Sequence, residues 1–380
     1  MKWRALLFVS ATTAFCLGLG AAIPEQSLRE AAQGSALLIG TAVRPAQLSE
    51  PAYASTLARE FNMLEPEDAL KWEVVHPEPQ SFDFSQGDQI VDFAARHDMK
   101  IRGHTLVWHR QNPKWLTEKK YTSAELAEIL EKHIKTVVGH YRGKIFAWDV
   151  VNEAFDELHP GTLRSTIWRD QPGIGTTEDT AASYELRATD NSVRSKLAAR
   201  GSQQGHIEQC FRWTHQADPQ ALLFYNEAEA EVLNPKSDAI YAMVRDFRQR
   251  GVPIDGVGFQ MHVANLHADV ASISANIKRF TALGVQVHIT EMDVALPLDA
   301  SANPRAEDLQ KQADVYRQIA TACLSHPGCT AIQTWGFTDK YSWIGSHSKQ
   351  TQGAALPFDR NYRCKPAYEG LRSALESGRR

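Results

Sequence analysis

Eight short runs rich in apolar and β-branched residues alternate with longer segments of helical periodicity, and that alternation leaves few folds open to the chain. The runs are Leu37 to Val43, Phe61 to Leu64, Lys100 to Leu106, Ile145 to Val151, Ala221 to Tyr225, Gly256 to Met261, Val285 to Thr290 and Thr330 to Thr334. Several are apolar almost throughout, the pattern of strands covered on both faces. Strands separated by helices pair in parallel, and eight is the number at which a parallel sheet closes on itself. The fold class expected is α/β, a (β/α)8 TIM barrel. At 380 residues the length alone allows two domains, but such a barrel routinely uses this much chain in one.

The intervening segments carry clear start and stop signals. Thr122 with Glu125 forms a capping-box pattern ahead of an apolar face that includes Leu126, Leu130, Ile134 and Val137. Asn234 followed by Pro235 opens a second helix that Gly251 ends, with Ile240, Met243, Val244 and Phe247 inward. Asp269 caps a third, with Ile273, Ile277 and Phe280 buried and Gly284 as its stop, and Leu309, Ala313, Tyr316 and Ala320 mark a fourth.

Charge narrows the choice of partners. Lys plus Arg number 41 against 45 Asp plus Glu, so the formal charge of -4 lacks the basic surplus that nucleic acid or anionic lipid attracts. The N-terminus reads as a processing signal over residues 1–22: Lys2 and Arg4 precede an apolar run from Ala5 to Leu19, closed by Gly20, Ala21 and Ala22. An uncleaved anchor is the rival reading, and Phe15 before Cys16 argues against lipid attachment there. A secreted or periplasmic protein, free of the membrane once the signal is removed, is expected. Cys323 and Cys329 bracket a turn-like LSHPG spacer and are expected to form a disulfide, the alternative being two unrelated buried thiols. No CxxC, HExxH or dense His/Cys cluster suggests a metal, and no cofactor motif is present.

Polar and aromatic residues gather where the apolar runs end. Glu67 and Lys71 follow the second run, His104 and Trp108 the third, and Asn152 and Glu153 the fourth. Asn226 and Glu227 follow the fifth, Gln260 and His262 the sixth, Glu291 and Asp293 the seventh, and Trp335 the eighth. In a barrel these ends share one rim, where active sites lie. A lone Glu at a strand end is usually a solvated or ion-paired side chain; two of them suit the paired carboxyls of glycoside hydrolysis.

Six strings resemble glycoside hydrolase family 10, the family of retaining endo-β-1,4-xylanases: EPEDALKW, RGHTLVWH, WDVVNEAF, GVGFQMHV, ITEMD and TWGFTDKYSW, in the family's order from about Leu37 to Leu371. The resemblance implies Glu153 as general acid/base and Glu291 as nucleophile, with no cofactor and with xylan or a xylo-oligosaccharide as substrate. It also implies Asn152 as the ligand of the sugar 2-hydroxyl. His262 is expected to bridge Glu291 and Asp293, while Lys71, His104, Gln260 and Glu67 are expected to bind sugar hydroxyls. Trp108, Trp335 and Trp343 offer faces for pyranose rings, whereas Trp72 and Trp148 are expected in the core and His109 and His288 in supporting positions. Glu157, Glu185 and Glu229 are read as surface groups. A retaining pair requires carboxyls about 5 to 5.5 Å apart, and an acid whose proton affinity is raised by its neighbour.

Three departures accompany the resemblance. Asp68 stands where the family commonly has Asn, so a donor to a sugar hydroxyl becomes an acceptor. Ala228 and Glu229 replace a common Tyr and Asn, removing an aromatic platform on the leaving-group side. Residues 176–205 form an apparent insertion of low apolar periodicity, expected to be a solvated excursion, with a lid over the cleft as the alternative. Activity on β-1,4-glucan, or a non-catalytic carbohydrate-binding barrel, are the rival functional readings. A monomer is the working expectation, although nothing in the residues sets the oligomeric state.

Overall fold

The computed structural model describes residues 26–35, 37–170 and 205–378. The signal peptide read at 1–22, Glu185, and all of the 176–205 excursion except Gly205 lie outside them.

All eight predicted strands form, and they close into a parallel ring: β1 (Leu38–Val43), β2 (Met63–Pro66), β3 (Lys100–Gly103), β4 (Ala147–Asn152), β5 (Leu222–Glu227), β6 (Gly256–Phe259), β7 (Gln286–Val294) and β8 (Cys329–Thr334). Closure comes from β8, which pairs with β1 at Ile332↔Ile39 and with β7 at Ile332↔Ile289. Four strands run further than the apolar signal did, β2 reaching Glu65 and Pro66. β4 includes Asn152, β5 includes Asn226 and Glu227, and β7 carries both Glu291 and Asp293. A ladder is built by backbone groups, so polar side chains at the mouth of the barrel do not end it. Beyond β6, His262–Val263 adds a short pairing to the end of β7, with His262 opposite Asp293.

Helices form where their caps predict. Thr122 accepts from the Glu125 amide at 3.3 Å while Glu125 Oε2 accepts from the Thr122 amide at 2.7 Å, opening the helix Ser123–His140. Asn234 Oδ1 caps Pro235–Arg250, and Gly251 ends it at φ 69°, a left-handed position that suits glycine. Asp269 caps Val270–Thr281, and Cys323 in the last turn of Ala306–Leu324 is disulfide-bonded to Cys329 at the start of β8. Trp72 and Trp148, expected in the core, are 2% and 0% exposed. No helix among the described residues is long and apolar enough to cross a membrane.

One layer below the rim the barrel interior is charged. Arg102 of β3 is fully buried and donates to both oxygens of Asp149 on β4, through Nε to Oδ2 at 2.9 Å, and through Nη1 to His288 Nδ1 at 2.8 Å. His104 Nδ1 lies 3.0 Å from Asp149 Oδ2 and 3.3 Å from Glu65 Oε1. Glu65, His104 and Asp149 are close enough together to resemble a metal ligand set. The guanidinium already supplies the positive charge such a cluster needs. Burial and the neighbouring Asp149 push Glu65 well up; Asp149, although buried, is held below its ordinary value by Arg102 and His104.

Candidate active site

The ring brings the strand-end residues to one mouth, and a side-chain amide ties the two proposed catalytic strands together there. Asn226 Nδ2, on β5, donates to Glu291 Oε1 at 2.8 Å and to Asn152 Oδ1 at 3.0 Å, while its Oδ1 accepts from Thr290 Oγ1 at 2.8 Å. Gln260 Nε2 donates to Asn152 Oδ1 at 3.3 Å and to Glu153 Oε1 at 2.9 Å. One continuous network thus runs from Glu291 through Asn226, Asn152 and Gln260 to Glu153. Gly258 on the adjacent strand leaves room for it, since a Cβ there would lie 2.1 Å from Asn226 Oδ1.

Each carboxylate has its own set of orienting groups. Glu153 Oε2 accepts from the Trp108 indole at 2.8 Å. Burial raises the proton affinity of Glu153, but the donors Gln260 and Trp108, with His109 and Arg110 nearby, outweigh it and hold the carboxyl below its ordinary value. This is opposite in direction to the raised acid expected from the sequence, because two N–H donors aimed at one carboxylate favour its charged form. On the other side, His262 reaches Asp293 Oδ2 with Nδ1 at 3.0 Å and Glu291 Oε2 with Nε2 at 3.3 Å, the bridge predicted for it. Burial alone would lower His262; the carboxylates of Asp293 and Glu291 win and raise it well above the ordinary value. Trp343 donates to Asp293 Oδ2 at 2.8 Å and stands edge-on to the His262 ring.

A second group assembles from β2, β3 and β8. The Lys71 ammonium lies 4.7 Å from the Trp108 ring centre and 5.6 Å from that of Trp335, and the His104 ring meets Trp335 edge-on at 5.3 Å. Lys71 and His104 are buried, whereas Trp108, Trp335 and Trp343 remain partly open. Glu67 is buried too, and Arg44 Nη2 donates to its Oε1 at 2.6 Å; burial outweighs this partner and raises the carboxyl. Asp68 is an acceptor, as the sequence suggested, and its lone pairs already have donors within the protein. Arg44 Nε at 3.1 Å, Lys71 Nζ at 3.4 Å and Gln111 Nε2 at 3.2 Å surround it, and these partners overcome burial to hold it below its ordinary value.

The supporting histidines occupy the positions expected of them. His288 lies inside the barrel between Arg102 and Thr330, and His109 Nδ1 is 3.9 Å from Glu153 Oε2, pushed down to about 4 by burial and by Arg164. Glu157 and Glu229 are exposed. Arg44, Arg164 and Tyr225 were not singled out from the sequence as site residues, and Asn226 was placed on the rim without a role. Asn226 had a signal, its place at a strand end; Arg164 had none, lying in a loop with no pattern of its own.

Comparison with known proteins agrees with this geometry. The sequence profile described as glycosyl hydrolase family 10 matches residues 27–374. The chain is similar to endo-1,4-beta-xylanase B of Thermotoga neapolitana, 42% identical over 85% of this chain and 83% of the relative. It is 36% identical to a beta-1,4-xylanase of Dictyoglomus thermophilum over 83% of this chain and 82% of that protein. Among solved structures, native xylanase 10B from Thermotoga maritima superposes with a TM-score of 0.81 at 40% identity, covering 92% of this chain and 98% of the other. Xylanase 10B from Thermotoga petrophila RKU-1, solved in complex with xylobiose, gives 0.82 at 38% identity over 93% and 98%. A closed eightfold barrel, two glutamates joined across its mouth and a match over nearly the whole described chain have one common explanation: the protein belongs to glycosyl hydrolase family 10.

Proposed function

We propose that the protein hydrolyses internal β-1,4-xylosidic bonds of xylan by double displacement with retention of configuration. The observation that carries this reading is the network that joins Glu291 to Glu153 through Asn226, Asn152 and Gln260. Such a network holds two carboxyls at one bond rather than at two independent sites. Similarity to proteins named as xylanases supports xylose as the sugar.

In the first step a Glu291 oxygen attacks the anomeric carbon while the C–O bond to the leaving sugar breaks and Glu153 donates its proton to the departing oxygen. In the second, Glu153, now a carboxylate, takes a proton from water, whose oxygen attacks the same carbon and releases Glu291. His262, charged between Asp293 and Glu291, orients the nucleophile's carboxyl, and Asn152 is suited to the sugar 2-hydroxyl. Lys71, His104, Gln260 and Glu67 supply donors and acceptors for hydroxyls on the glycone side, and the rings of Trp108, Trp335 and Trp343 supply apolar faces. Export follows from the basic then apolar N-terminal residues, which we read as a signal peptide over 1–22, and the disulfide suits an oxidising compartment. We take the working form to be a monomer.

The test is digestion of xylotetraose with the product anomer followed by NMR, alongside reducing-sugar release from xylan and from soluble cellulose. Initial β-anomer and preference for xylan are expected. Initial α-anomer sinks retention, and preference for cellulose sinks the substrate class.

A further inference from the structure

The peptide units around Glu153 are held on one side by β5 and on the other by Arg164, further along their own loop. The N–H groups of Glu153, Ala154 and Phe155 are accepted by Asn226 O at 3.0 Å, Tyr225 Oη at 3.0 Å and Glu227 Oε2 at 3.2 Å, three consecutive residues of β5. The three carbonyls all accept from one residue, Arg164. Its Nε donates to Glu153 O at 3.2 Å, its backbone N to Ala154 O at 2.7 Å and its Nη2 to Phe155 O at 3.3 Å. Every backbone polar group of these residues therefore has a partner, although the segment is no helix and its only strand-like pairing is the isolated bridge of Phe155 to Leu163.

Glu153 stands at φ 53°, a region a non-glycine residue occupies only where its surroundings over-determine it. The partners are themselves fixed. Tyr225 and Glu227 are fully buried; the tyrosine donates to Glu227 Oε2 at 2.6 Å, and Glu227 Oε1 accepts from the Ala228 amide at 3.2 Å and pairs with Lys236 at 3.1 Å. Lys236, 3% exposed, anchors the chain of contacts to the helix Pro235–Arg250.

We propose that Tyr225, Glu227 and Arg164 are positioning residues for Glu153, setting the backbone direction from which its carboxyl reaches the departing glycosidic oxygen. The inference rests on the acid/base role assigned to Glu153 above. None of the three touches the reacting atoms. They act on the proton transfer that accompanies C–O cleavage, and the attack of Glu291 on the anomeric carbon does not depend on them. A misplaced Glu153 slows the first step, which kcat/KM reports, only for leaving groups that need its proton; its part as base toward water is felt in kcat.

The full-length Tyr225→Phe variant removes one hydroxyl and tests this directly. For xylotetraose, whose leaving alcohol needs a proton, kcat/KM is expected to fall about tenfold; for 2,4-dinitrophenyl β-xylobioside, whose phenolate leaves unaided, less than about twofold. Arg164→Lys keeps the charge but cannot serve two carbonyls with one planar fork, and should give the same split should Tyr225→Phe fail to fold. Equal losses on both substrates indicate a merely structural role and overturn the inference, as does no loss on either. Wild-type inactivity on both removes the functional reading itself, a separate and distinguishable outcome.

Discussion

Trp108 donates its indole N–H to Glu153 Oε2 across 2.8 Å, so an aromatic side chain that borders the cleft also fixes a carboxylate at its centre. A general acid must hold a proton when it acts, yet this donor and Gln260 favour the charged form. A sugar hydroxyl that took over either donor would return proton affinity to Glu153.

Trp108→Phe removes one donor and leaves burial, the largest influence on this carboxyl, less opposed, so that its proton affinity rises. The basic limb of kcat/KM against pH, which reports the acid in the free enzyme, should move to higher pH than in the wild type. A limb that stays in place or moves down refutes the hold of Trp108 on this carboxyl.

Glu153→Ala should lower xylan hydrolysis by roughly 10²–10⁴, the usual worth of a positioned general acid, and Glu291→Ala by more. Azide then separates the roles. With dinitrophenyl xylobioside it should rescue Glu153→Ala to the β-azide, formed on the glycosyl-enzyme, and Glu291→Ala to the α-azide, formed by direct attack. The opposite stereochemistry reverses the assignment.

His262→Gln removes the cation between Asp293 and Glu291, a charged hydrogen bond whose loss should cost roughly tenfold in kcat/KM. Because the folded protein raises His262 above its ordinary value of 6.5, its stabilising charge is fully present below that value and is lost as pH rises through the folded value. The gap in Tm between wild type and variant should therefore narrow as the solution is made alkaline. A gap that widens contradicts a charged His262.

Arg102→Met leaves Asp149 buried without its counter-charge and should destabilise the fold by about 3–5 kcal/mol in urea titration. An unchanged midpoint means that the interior charges are solvated or neutral.

Replacing Cys323 and Cys329 together by serine opens a loop closed over a sequence separation of 6, worth about 2 kcal/mol in the chain-entropy account. Tm should drop by a few degrees while kcat at room temperature stays within about twofold. Loss of kcat at full folding would tie this far end of the barrel to the cleft.

Much of the site was legible because strand ends converge in any closed barrel. Glu153, Glu291, His262 and Trp108 could be named from where apolar runs stop. Arg44 could not, because its hold on Glu67 and Asp68 depends on the angle at which β1 delivers it, and its neighbourhood carries no motif. The strand limits were drawn short at Val151, Tyr225 and Thr290 for a related reason: hydropathy changes there while the backbone ladder continues.

The order of residues by itself determined the alternation of strands and helices, their caps and glycine stops, the cysteine bridge, and which polar groups would share a rim. All but the last follow from interactions between near neighbours, and the shared rim follows from the closure that eight such units allow. Only the tertiary structure decided that one asparagine amide would reach two strands, and that the Glu153 carboxyl would be held below its ordinary value. The partners responsible lie 65 and 107 positions apart, Asn226 with Glu291 and Glu153 with Gln260. Hydrogen-bond geometry and desolvation depend on what stands opposite across the ring, and no local pattern encodes that.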